Sequence, residues 1–130
     1  MAALSDHAEK LILDWMMTAG AATRPTAWYV ALYTAAPSDS GGGTELSGSG
    51  YARESVTFAA ATSGTGTTSN TGVVVFTADG GDWGSVTHMG IHDAVSGGNL
   101  LWHGALAAAK TVADGDTLEF AVGNIDLTVA

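Results

Sequence analysis

The amino-acid sequence predicts a mainly β fold, in which an N-terminal amphipathic helix precedes an antiparallel β-sandwich or a jelly-roll-like barrel of about seven strands. Two patterns indicate this fold. Apolar residues recur with the helical period only in the first part of the chain, and beyond Pro25 they alternate with polar residues, as in strands. Turns rich in Gly, Asp and Asn separate the alternating segments at intervals typical of sandwiches and barrels.

Length and composition predict one globular domain over residues 1–130, because the chain has 130 residues and 46% of them are apolar. The net charge is −9, since four basic residues face 13 acidic ones. Such a charge repels phosphate backbones and anionic lipids, so neither a nucleic acid nor a membrane is an expected partner. Only 13% of the residues are charged, against about 25% in a typical domain, which favours a surface partly covered by other subunits.

The sequence contains no cysteine, which excludes disulfides and thiolate metal sites and is compatible with a reducing cytosol. The longest apolar run, residues 11–17, includes Asp14 and is shorter than the roughly 20 residues that span a bilayer. It also lacks the features of a signal peptide. We therefore expect a protein that folds and assembles in a reducing cytosol.

Residues 1–20 are predicted to form the helix, with Ser5 or Asp6 as its N-cap and Gly20 at its end. Packing of its apolar stripe against the chain's own sheet is the simpler interpretation. Leu13 and Met17 lie beside the stripe and widen the apolar face, so docking onto a partner is the alternative. The stripe consists of Leu4, Ala8, Leu11, Ile12, Trp15 and Met16.

Seven later segments have the composition or alternation of strands. Hairpin signals such as SGGN and ADGD join several of them. The segments are AWYVALYT, ESVTFAA, GVVVFTA, SVTHMGIHDA, LLWHGALA, TLEFAV and IDLTV.

Between the first two of these segments lies a long Gly- and Ser-rich loop, residues 35–50, and a shorter polar loop follows over residues 62–70. Pro37 begins a predicted turn in the long loop, and Leu46 is the loop's only large aliphatic residue. Tyr51 and Arg53 are expected to tie its end to the domain, Arg53 by pairing with an acid. Because long loops tend to be functional or disordered, we expect this one to be mobile in a free chain and ordered against a neighbouring subunit.

A metal site would have to come from His88, His92, Asp93 and His103. The four-residue spacing of His88 and His92 on a strand separates them by roughly 13 Å, too far to share one ion. His88 and His103 can still meet across a hairpin, but hydrogen-bonded or surface histidines are the favoured interpretation. No resident metal or cofactor is therefore expected.

Catalytic motifs are also not expected. The acid pairs in TADGGDWG and VADGDT favour turn formation over glycoside hydrolysis, and the loops lack EF-hand spacing for calcium. The GSG at residues 48–50 has no following helix and is not a nucleophile elbow. The sequence therefore predicts a protein that is not an enzyme.

The tryptophans differ in their expected surroundings. Trp15, Trp28 and Trp102 belong to apolar stripes and are predicted to be core residues. Trp83 lies among turn residues in GGDWGS, and it is the aromatic residue expected to be exposed and available for contacts. A carbohydrate-binding role for Trp83 with nearby acids is one alternative function.

The chain resembles a family of small tailed-bacteriophage virion proteins that are usually labelled tail fibre protein. The resemblance rests on ALYTAAP, GGGTE, GYAR and the series DWG, VTH, GI and D, and it runs from about Trp28 to Val129. These blocks are specific as a set. The resemblance implies a structural component of the virion, assembled in the bacterial cytoplasm, and no enzymatic activity.

The size of the chain is similar to that of capsid decoration, or cement, proteins, which sit on the shell as oligomers and often as trimers. The expected function is therefore an accessory decoration protein that oligomerises, with a trimer favoured, and binds the major capsid protein. The alternative is a tail-fibre or baseplate component involved in host adsorption, bound to tail or baseplate proteins. The residues expected at interfaces are Trp15, Met16, Pro37, Leu46, Tyr51, Arg53 and Trp83.

Overall fold

A computed structural model describes residues 2–129, which contain one helix and ten strands. The helix α1 spans Asp6–Met17. The strands are β1 Ala3–Leu4, β2 Tyr29–Ala35, β3 Thr44–Glu45, β4 Glu54–Ser55, β5 Thr67–Ser69, β6 Val74–Thr77, β7 Gly84–His92, β8 Leu100–Val112, β9 Thr117–Phe120 and β10 Asp126–Thr128.

All strand pairs are antiparallel, and they form three sheets. The largest sheet has the order β1-β8-β7-β2-β3, with β4 also paired to β2. Two smaller sheets pair β5 with β10 and β6 with β9. The architecture is mainly β and consistent with a β-sandwich, as the sequence predicted.

The centre of the large sheet is the hairpin of β7 and β8, with β2 on the other side of β7. Val30 on β2 faces Ile91 on β7, and both side chains are fully buried. β8 is longer than the predicted segment LLWHGALA, because its last residues pair with the start of β7, where Val112 faces Gly84. The register shifts between Val86 and His88, so β8 carries an irregularity there.

The seven predicted strand segments are present, and three short strands add to them. β1, β3 and β5 lie in segments that were assigned to the helix or to loops, so the prediction of about seven strands was too low. β5 is part of the polar segment 62–70, where Thr67–Ser69 pairs with β10. The predicted strand ESVTFAA is interrupted: only Glu54–Ser55 is a strand, and Phe58 forms an isolated bridge with Asn70.

The apolar core lies between the sheets, and the alternation of β6 and β9 supplies much of it. Full burial of one large apolar side chain stabilises the fold by roughly 1.5–3 kcal/mol. Asn70 is buried with its polar atoms satisfied, because its Nδ2 donates to the Gly72 and Ala121 carbonyls and its Oδ1 accepts from the Ile125 amide. The core residues are Val30, Leu32, Val56, Val74, Phe76, Ala78, Trp83, Val86, Met89, Ile91, Val112, Leu118, Phe120, Ile125 and Leu127.

The helix begins at the predicted N-cap. The Ser5 hydroxyl accepts a hydrogen bond from the Ala8 amide and donates one to the Leu100 carbonyl, so it fastens the start of α1 to β8. The helix ends earlier than predicted, at Thr18 and not at Gly20. The Thr18 backbone is extended, and its hydroxyl accepts from the Gly20 amide. No helix within residues 2–129 is long and apolar enough to cross a membrane.

Candidate interaction surface

The C-terminal half of α1 exposes the same face that its N-terminal half buries. Ala8, Leu11 and Trp15 follow one another at helical spacing and therefore lie on one side of α1. Ala8 is 5% exposed, Leu11 is half-buried, and Trp15 is 73% exposed. The helix thus extends past the sheet that covers its first turns.

Three further large apolar side chains are exposed on the same part of the helix: Leu13, Met16 and Met17. Together with Trp15 they form what we call the helix patch. Core packing of the apolar stripe is confirmed for Ala8 and was wrong for Trp15 and Met16. α1 contacts β8 and β1, and the hydrogen bond that joins it to β8 lies at Ser5, so the far end of the helix is left exposed.

Within residues 2–129, the hydrogen bonds that hold α1 to the rest of the chain lie at the start of the helix. The Ser5 amide donates to the Leu101 carbonyl, and the Asp6 amide donates to the Asp39 carbonyl. Lys10 and Asp14 form an ion pair within the helix. The described contacts therefore fix the N-terminal end of α1 and leave the helix patch projecting into solvent.

The helix patch is electrically neutral in a strongly acidic protein. Asp14 is the one charged residue between Leu11 and Thr23, and Lys10 neutralises it. The four exposed side chains surround the end of α1, and a cluster of large exposed apolar side chains marks interaction sites in proteins that are otherwise stable in water. This is the strongest candidate for an interface in the described chain.

A second, smaller apolar area lies on the outer side of the β6–β9 sheet. Val73 and Val75 are exposed and alternate with the buried Val74 and Phe76. Val122 is exposed in the turn after β9. That turn lies close to the chain before β6, since the Gly123 amide donates to the Asn70 carbonyl. We call Val73, Val75 and Val122 the valine patch.

The glycine-rich segment is bound to its own chain. The Leu46 amide donates to the Leu32 carbonyl, and β3 pairs with β2. At Gly43, whose φ is +73°, an added Cβ would lie 2.7 Å from the Ala35 carbonyl oxygen, so close packing requires glycine there. The segment is thus anchored to its own chain before any partner binds, and its mobility in a free chain stays a prediction.

Arg53 holds the end of this segment in place. Its Nε and Nη2 donate to the two carboxylate oxygens of Glu45, each at 2.8 Å. Its Nη1 donates to the carbonyl oxygens of Ala94 at 2.9 Å and Gly97 at 2.8 Å. The predicted pairing of Arg53 with an acid is confirmed. The side chain is only 8% exposed, so in this structure its guanidinium does not face outward as an interface contact.

The protonation states of Glu45, Arg53 and Tyr51 follow from their burial and from their hydrogen-bond partners. Burial on its own raises the pKa of Glu45, but hydrogen bonds from Arg53 and Tyr51 outweigh it and bring the pKa below its usual value. The Glu45 carboxylate in turn raises the pKa of Arg53. Burial raises the pKa of Tyr51, whose hydroxyl donates to Glu45 and accepts from the Leu32 amide. Glu45 and Arg53 therefore form an ion pair, and the Tyr51 hydroxyl beside it has a hydrogen-bond donor and an acceptor.

His92 extends this cluster towards the core. Its Nε2 lies 2.7 Å from the Tyr33 hydroxyl, and its side chain is 7% exposed. Burial, with the nearby Arg53 charge, lowers the pKa of His92 to about 4, and burial raises the pKa of Tyr33 to about 12. Among the described residues His92 Nδ1 has no hydrogen-bond partner. His92 is therefore a neutral buried histidine near pH 7.

The other side chains that could ligate a metal are also hydrogen-bonded within the chain. His88 Nδ1 lies 2.8 Å from the Thr87 hydroxyl, His103 Nε2 lies 2.7 Å from Asp39, and Asp93 accepts from Asn99. Residues 2–129 contain no group of three or more histidine or acidic side chains that is arranged to hold a metal ion.

The acids of the two turn motifs act as turn formers, as predicted. Asp114 accepts from the Gly80 amide, and Asp82 accepts from the Asp114 amide, so the two turns brace each other. Asp116 accepts from the Ala113 amide within its own turn.

Trp83 is buried, and the prediction that it is exposed was wrong. The side chain is 6% exposed, its indole Nε1 donates to the Ser49 carbonyl, and its ring meets Tyr51 edge-on at 5.7 Å. The Trp83 amide pairs with the Val112 carbonyl, so the residue already lies in line with β7 and faces inward. The prediction was wrong because turn-forming residues lie on both sides of Trp83 in the sequence. Trp28 and Trp102 pack against the core, as predicted.

Of the seven predicted interface residues, the structure thus exposes two, Trp15 and Met16. Pro37 is buried, and Leu46 and Tyr51 are half-buried against the core. Trp83 and Arg53 also face inward. Sequence reasoning missed the outward valines at 73 and 75, because a run of three valines does not reveal which of them face solvent.

Comparison with known proteins gives one family match. The model of the family described as Podophage GP4 fiber I protein gp80 matches residues 3–128. No curated protein matches the chain. The match covers nearly the whole sequence, including the helix patch and all ten strands. The chain therefore belongs to the podophage GP4 fiber I protein gp80 family, a family of phage virion proteins of the fibre type.

Proposed function

We propose that this protein is a non-enzymatic structural subunit of a tailed-phage fibre, and that the helix patch joins it to neighbouring virion subunits. The observation that carries the proposal is Trp15, which lies on the sheet-facing side of α1 and is nevertheless 73% exposed. A side chain of this size gains substantial free energy when a partner covers it. Assembly provides such a partner.

The rest of the structure supports a scaffold role. The buried charges, the acidic turns and the indole of Trp83 all serve contacts within the chain. The groups that commonly act in catalysis, such as His92 and Glu45, are engaged in these internal contacts. The candidate surface is apolar and neutral, which suits stable burial between subunits and not the binding of a charged substrate.

The family description, which contains the word fiber, favours a fibre subunit over capsid decoration. Decoration is the second candidate, since a small acidic β-protein with one projecting apolar helix end is also suited to covering seams of a shell. The helix patch would be the attachment surface in both cases. Carbohydrate binding through Trp83 is not retained, because that indole is buried.

Copy number and location in the virion test this proposal. A fibre subunit is expected in tens of copies or fewer at the tail, whereas a decoration protein is expected in hundreds on the head. Quantitative mass spectrometry of purified virions measures the number, and immunogold labelling gives the position. Labelling spread over the head with hundreds of copies would favour decoration instead.

The role of the helix patch is tested by incorporation. Virions are produced with a Trp15→Glu variant and with a matched Val95→Glu control, which places the same charge on an exposed valine in the β7–β8 turn. We expect Trp15→Glu to reduce incorporation at least tenfold and Val95→Glu to leave it unchanged. Normal incorporation of Trp15→Glu would contradict the proposal.

A further inference from the structure

The edge of β6 that faces away from β9 is bound to its own chain at two points and open between them. Before β6, the Thr71 amide donates to the Thr57 carbonyl at 2.9 Å. After β6, the Asp79 amide donates to the Ser49 carbonyl, also at 2.9 Å. Among the described residues, no backbone hydrogen bond joins β6 itself to the segment 49–57. The two stretches of chain are therefore held together at their ends and separated in the middle.

The separation arises because the two stretches belong to different sheets. β4 pairs with β2 in the large sheet, whereas β6 pairs with β9 in a smaller one. A groove with a volume of about 470 Å³ lies where they diverge. Its exposed walls include Ala52 and Glu54 on one side and Thr77 and Val75, which belongs to the valine patch, on the other. The buried Phe76 also lines it.

Backbone groups of two β6 residues point into this groove. In an antiparallel pair, successive residues alternate between bonding the partner strand and pointing away from it. The Ala78 amide donates to the Asp116 carbonyl, and the register of β6 and β9 is unbroken from there, so Phe76 also bonds towards β9. Val75 and Thr77 are the alternate residues, and their amides and carbonyls point away from β9. A free strand edge of this kind is a template for pairing with another chain.

The groove is also acidic. Glu54 lies on one wall, and Asp79 lies at the closed end, where a Cβ added to Gly50 would be 3.0 Å from the Asp79 Cβ. Glu119 faces Val75 from β9. The three carboxylates are exposed, and none of them forms an ion pair within residues 2–129. A positive charge is therefore favoured in and beside the groove.

From this geometry we propose that the groove binds an extended segment of another virion protein that contains lysine or arginine, and that the segment adds a strand to the free edge of β6. Backbone groups of the segment pair with Val75 and Thr77, as in other complexes in which a peptide extends a sheet. Its basic side chains pair with Glu54 and Asp79. The groove is a different surface from the helix patch, so this inference goes beyond the proposed function.

Two other occupants suit the groove less well. A metal ion would leave the strand edge unpaired, and residues 2–129 contain no group of three or more histidine or acidic side chains arranged to hold one. A second copy of this chain has no basic segment to offer. Of its four basic residues, Lys10 is paired within its helix and Arg53 is buried, and Arg24 and Lys110 lie far apart in the sequence.

Titration of the isolated protein with a short peptide tests the proposal. The probe is Lys-Thr-Val-Thr-Lys, blocked at both ends, and amide NMR shifts locate it and give its Kd. A peptide with glutamate in place of both lysines tests the charge requirement. A peptide N-methylated on alternate residues cannot pair with a strand edge, so it tests the added strand.

Protein variants separate the groove from the general acidity of the chain. Glu54→Gln with Asp79→Asn removes two charges at the groove. Glu9→Gln with Asp126→Asn is the matched control, because it removes two exposed charges elsewhere. Ala52→Trp fills the groove without changing the charge. Thermal unfolding first establishes that each variant is folded, and all five positions are exposed.

We expect saturable binding of the lysine peptide, with shifts centred on Val75 and Thr77. The groove double variant should weaken binding about fivefold, as loss of two exposed ion pairs does, and the control double variant should leave it unchanged. Ala52→Trp, the glutamate peptide and the N-methylated peptide should each abolish binding.

Equal weakening by the two double variants would overturn the inference, because it would indicate general attraction to an acidic surface. Undiminished binding of the N-methylated peptide would overturn the added strand. The absence of saturable binding up to about 10 mM peptide would overturn the inference as a whole.

These outcomes are separate from the test of the proposed function. If Trp15→Glu is absent from virions and the lysine peptide does not bind, the helix patch remains the assembly surface and only the present inference fails. If Trp15→Glu enters virions normally and the peptide binds in the groove, the proposed role of the helix patch fails and the present inference stands.

Discussion

Arg53 and Glu45 form two parallel hydrogen bonds, each 2.8 Å long, while the third guanidinium nitrogen of Arg53 donates to the carbonyl oxygens of Ala94 and Gly97. One side chain thus joins the glycine-rich segment, the strand that follows it and the turn between β7 and β8. A planar fork of this kind satisfies all four acceptors at once. The end of the glycine-rich segment is thereby fixed to two other parts of the chain.

Removing this fork is expected to destabilise the fold. Arg53→Met leaves Glu45 without its counter-charge and two carbonyls without a donor, so the free energy of unfolding should fall by on the order of 3 kcal/mol in urea denaturation. Arg53→Lys keeps the charge and loses the fork geometry, so it should recover only part of that loss. Full recovery by lysine would show that charge alone matters and would contradict the geometric account.

The buried His92 predicts a pH dependence of stability. Its pKa is lowered from 6.5 to about 4 in the folded chain, so between these values the unfolded chain binds a proton that the folded chain does not. The stabilisation is therefore complete above pH 6.5 and is lost as the pH falls towards 4, by on the order of 3 kcal/mol. Its acidic neighbours Glu45 and Asp93 have lowered pKa values and stay charged over most of this range. Arg53 stays protonated, and Tyr33, whose pKa is raised to about 12, stays neutral.

A His92→Gln variant checks this dependence, since glutamine keeps a polar group near Tyr33 and does not titrate. Chemical denaturation at pH 7.5 and pH 4.5 should show a steeper loss for wild type than for the variant. The lowered pKa of Glu45 has the same sign and acts at lower pH, so it remains in both proteins. Equal pH slopes in the two proteins would exclude His92 as the source.

The anchors of the glycine-rich segment predict slow amide exchange in the isolated protein. The Leu46 and Asp79 amides donate to the Leu32 and Ser49 carbonyls, and the Trp83 indole also donates to Ser49. A Trp83→Phe variant should lose about 1 to 2 kcal/mol of stability and speed up exchange over residues 44–51. Uniformly fast exchange over residues 38–50 in the isolated wild-type protein would contradict this account.

Because the helix patch is exposed, a substitution there should weaken assembly without lowering the stability of the fold. Trp15→Ser changes an exposed side chain, so the free energy of unfolding should stay within about 0.5 kcal/mol of wild type. The same variant should associate more weakly in sedimentation velocity. Ala8→Glu, on the buried turn of the same helix, is the contrasting change and should destabilise the fold by more than about 2 kcal/mol. Equal stability losses at both positions would mean that Trp15 packs within its own chain.

The fold class could be predicted because the periodicity of apolar residues is a local property of the sequence. The alternation of Leu118 and Phe120 places both side chains inward without knowledge of the partner strand. The N-cap at Ser5 and the pairing of Arg53 were predicted for the same reason, since residue type restricts what they do. The family resemblance also rested on short local blocks, and the family match confirmed it.

The exposed residues could not be predicted from local sequence patterns, because exposure depends on contacts between distant parts of the chain. Trp15 continues the buried stripe of α1, and it is exposed because the hydrogen bonds that hold the helix to the sheet lie at the helix start. Trp83 has turn residues on both sides, and its burial depends on pairing with Val112, far along the chain. The anchors of the glycine-rich segment likewise come from distant strands. Exposure at these positions is a property of the assembled sheets.

Cross-linking from position 15 in assembled virions tests the central claim most directly. A photoreactive amino acid replaces Trp15, a second preparation carries it at Val95, and cross-linked peptides are identified by mass spectrometry. The account predicts efficient cross-links from position 15 to another polypeptide chain of the virion, and few from position 95. Cross-linking from position 15 no stronger than from position 95 would contradict the claim that the helix patch is an assembly surface.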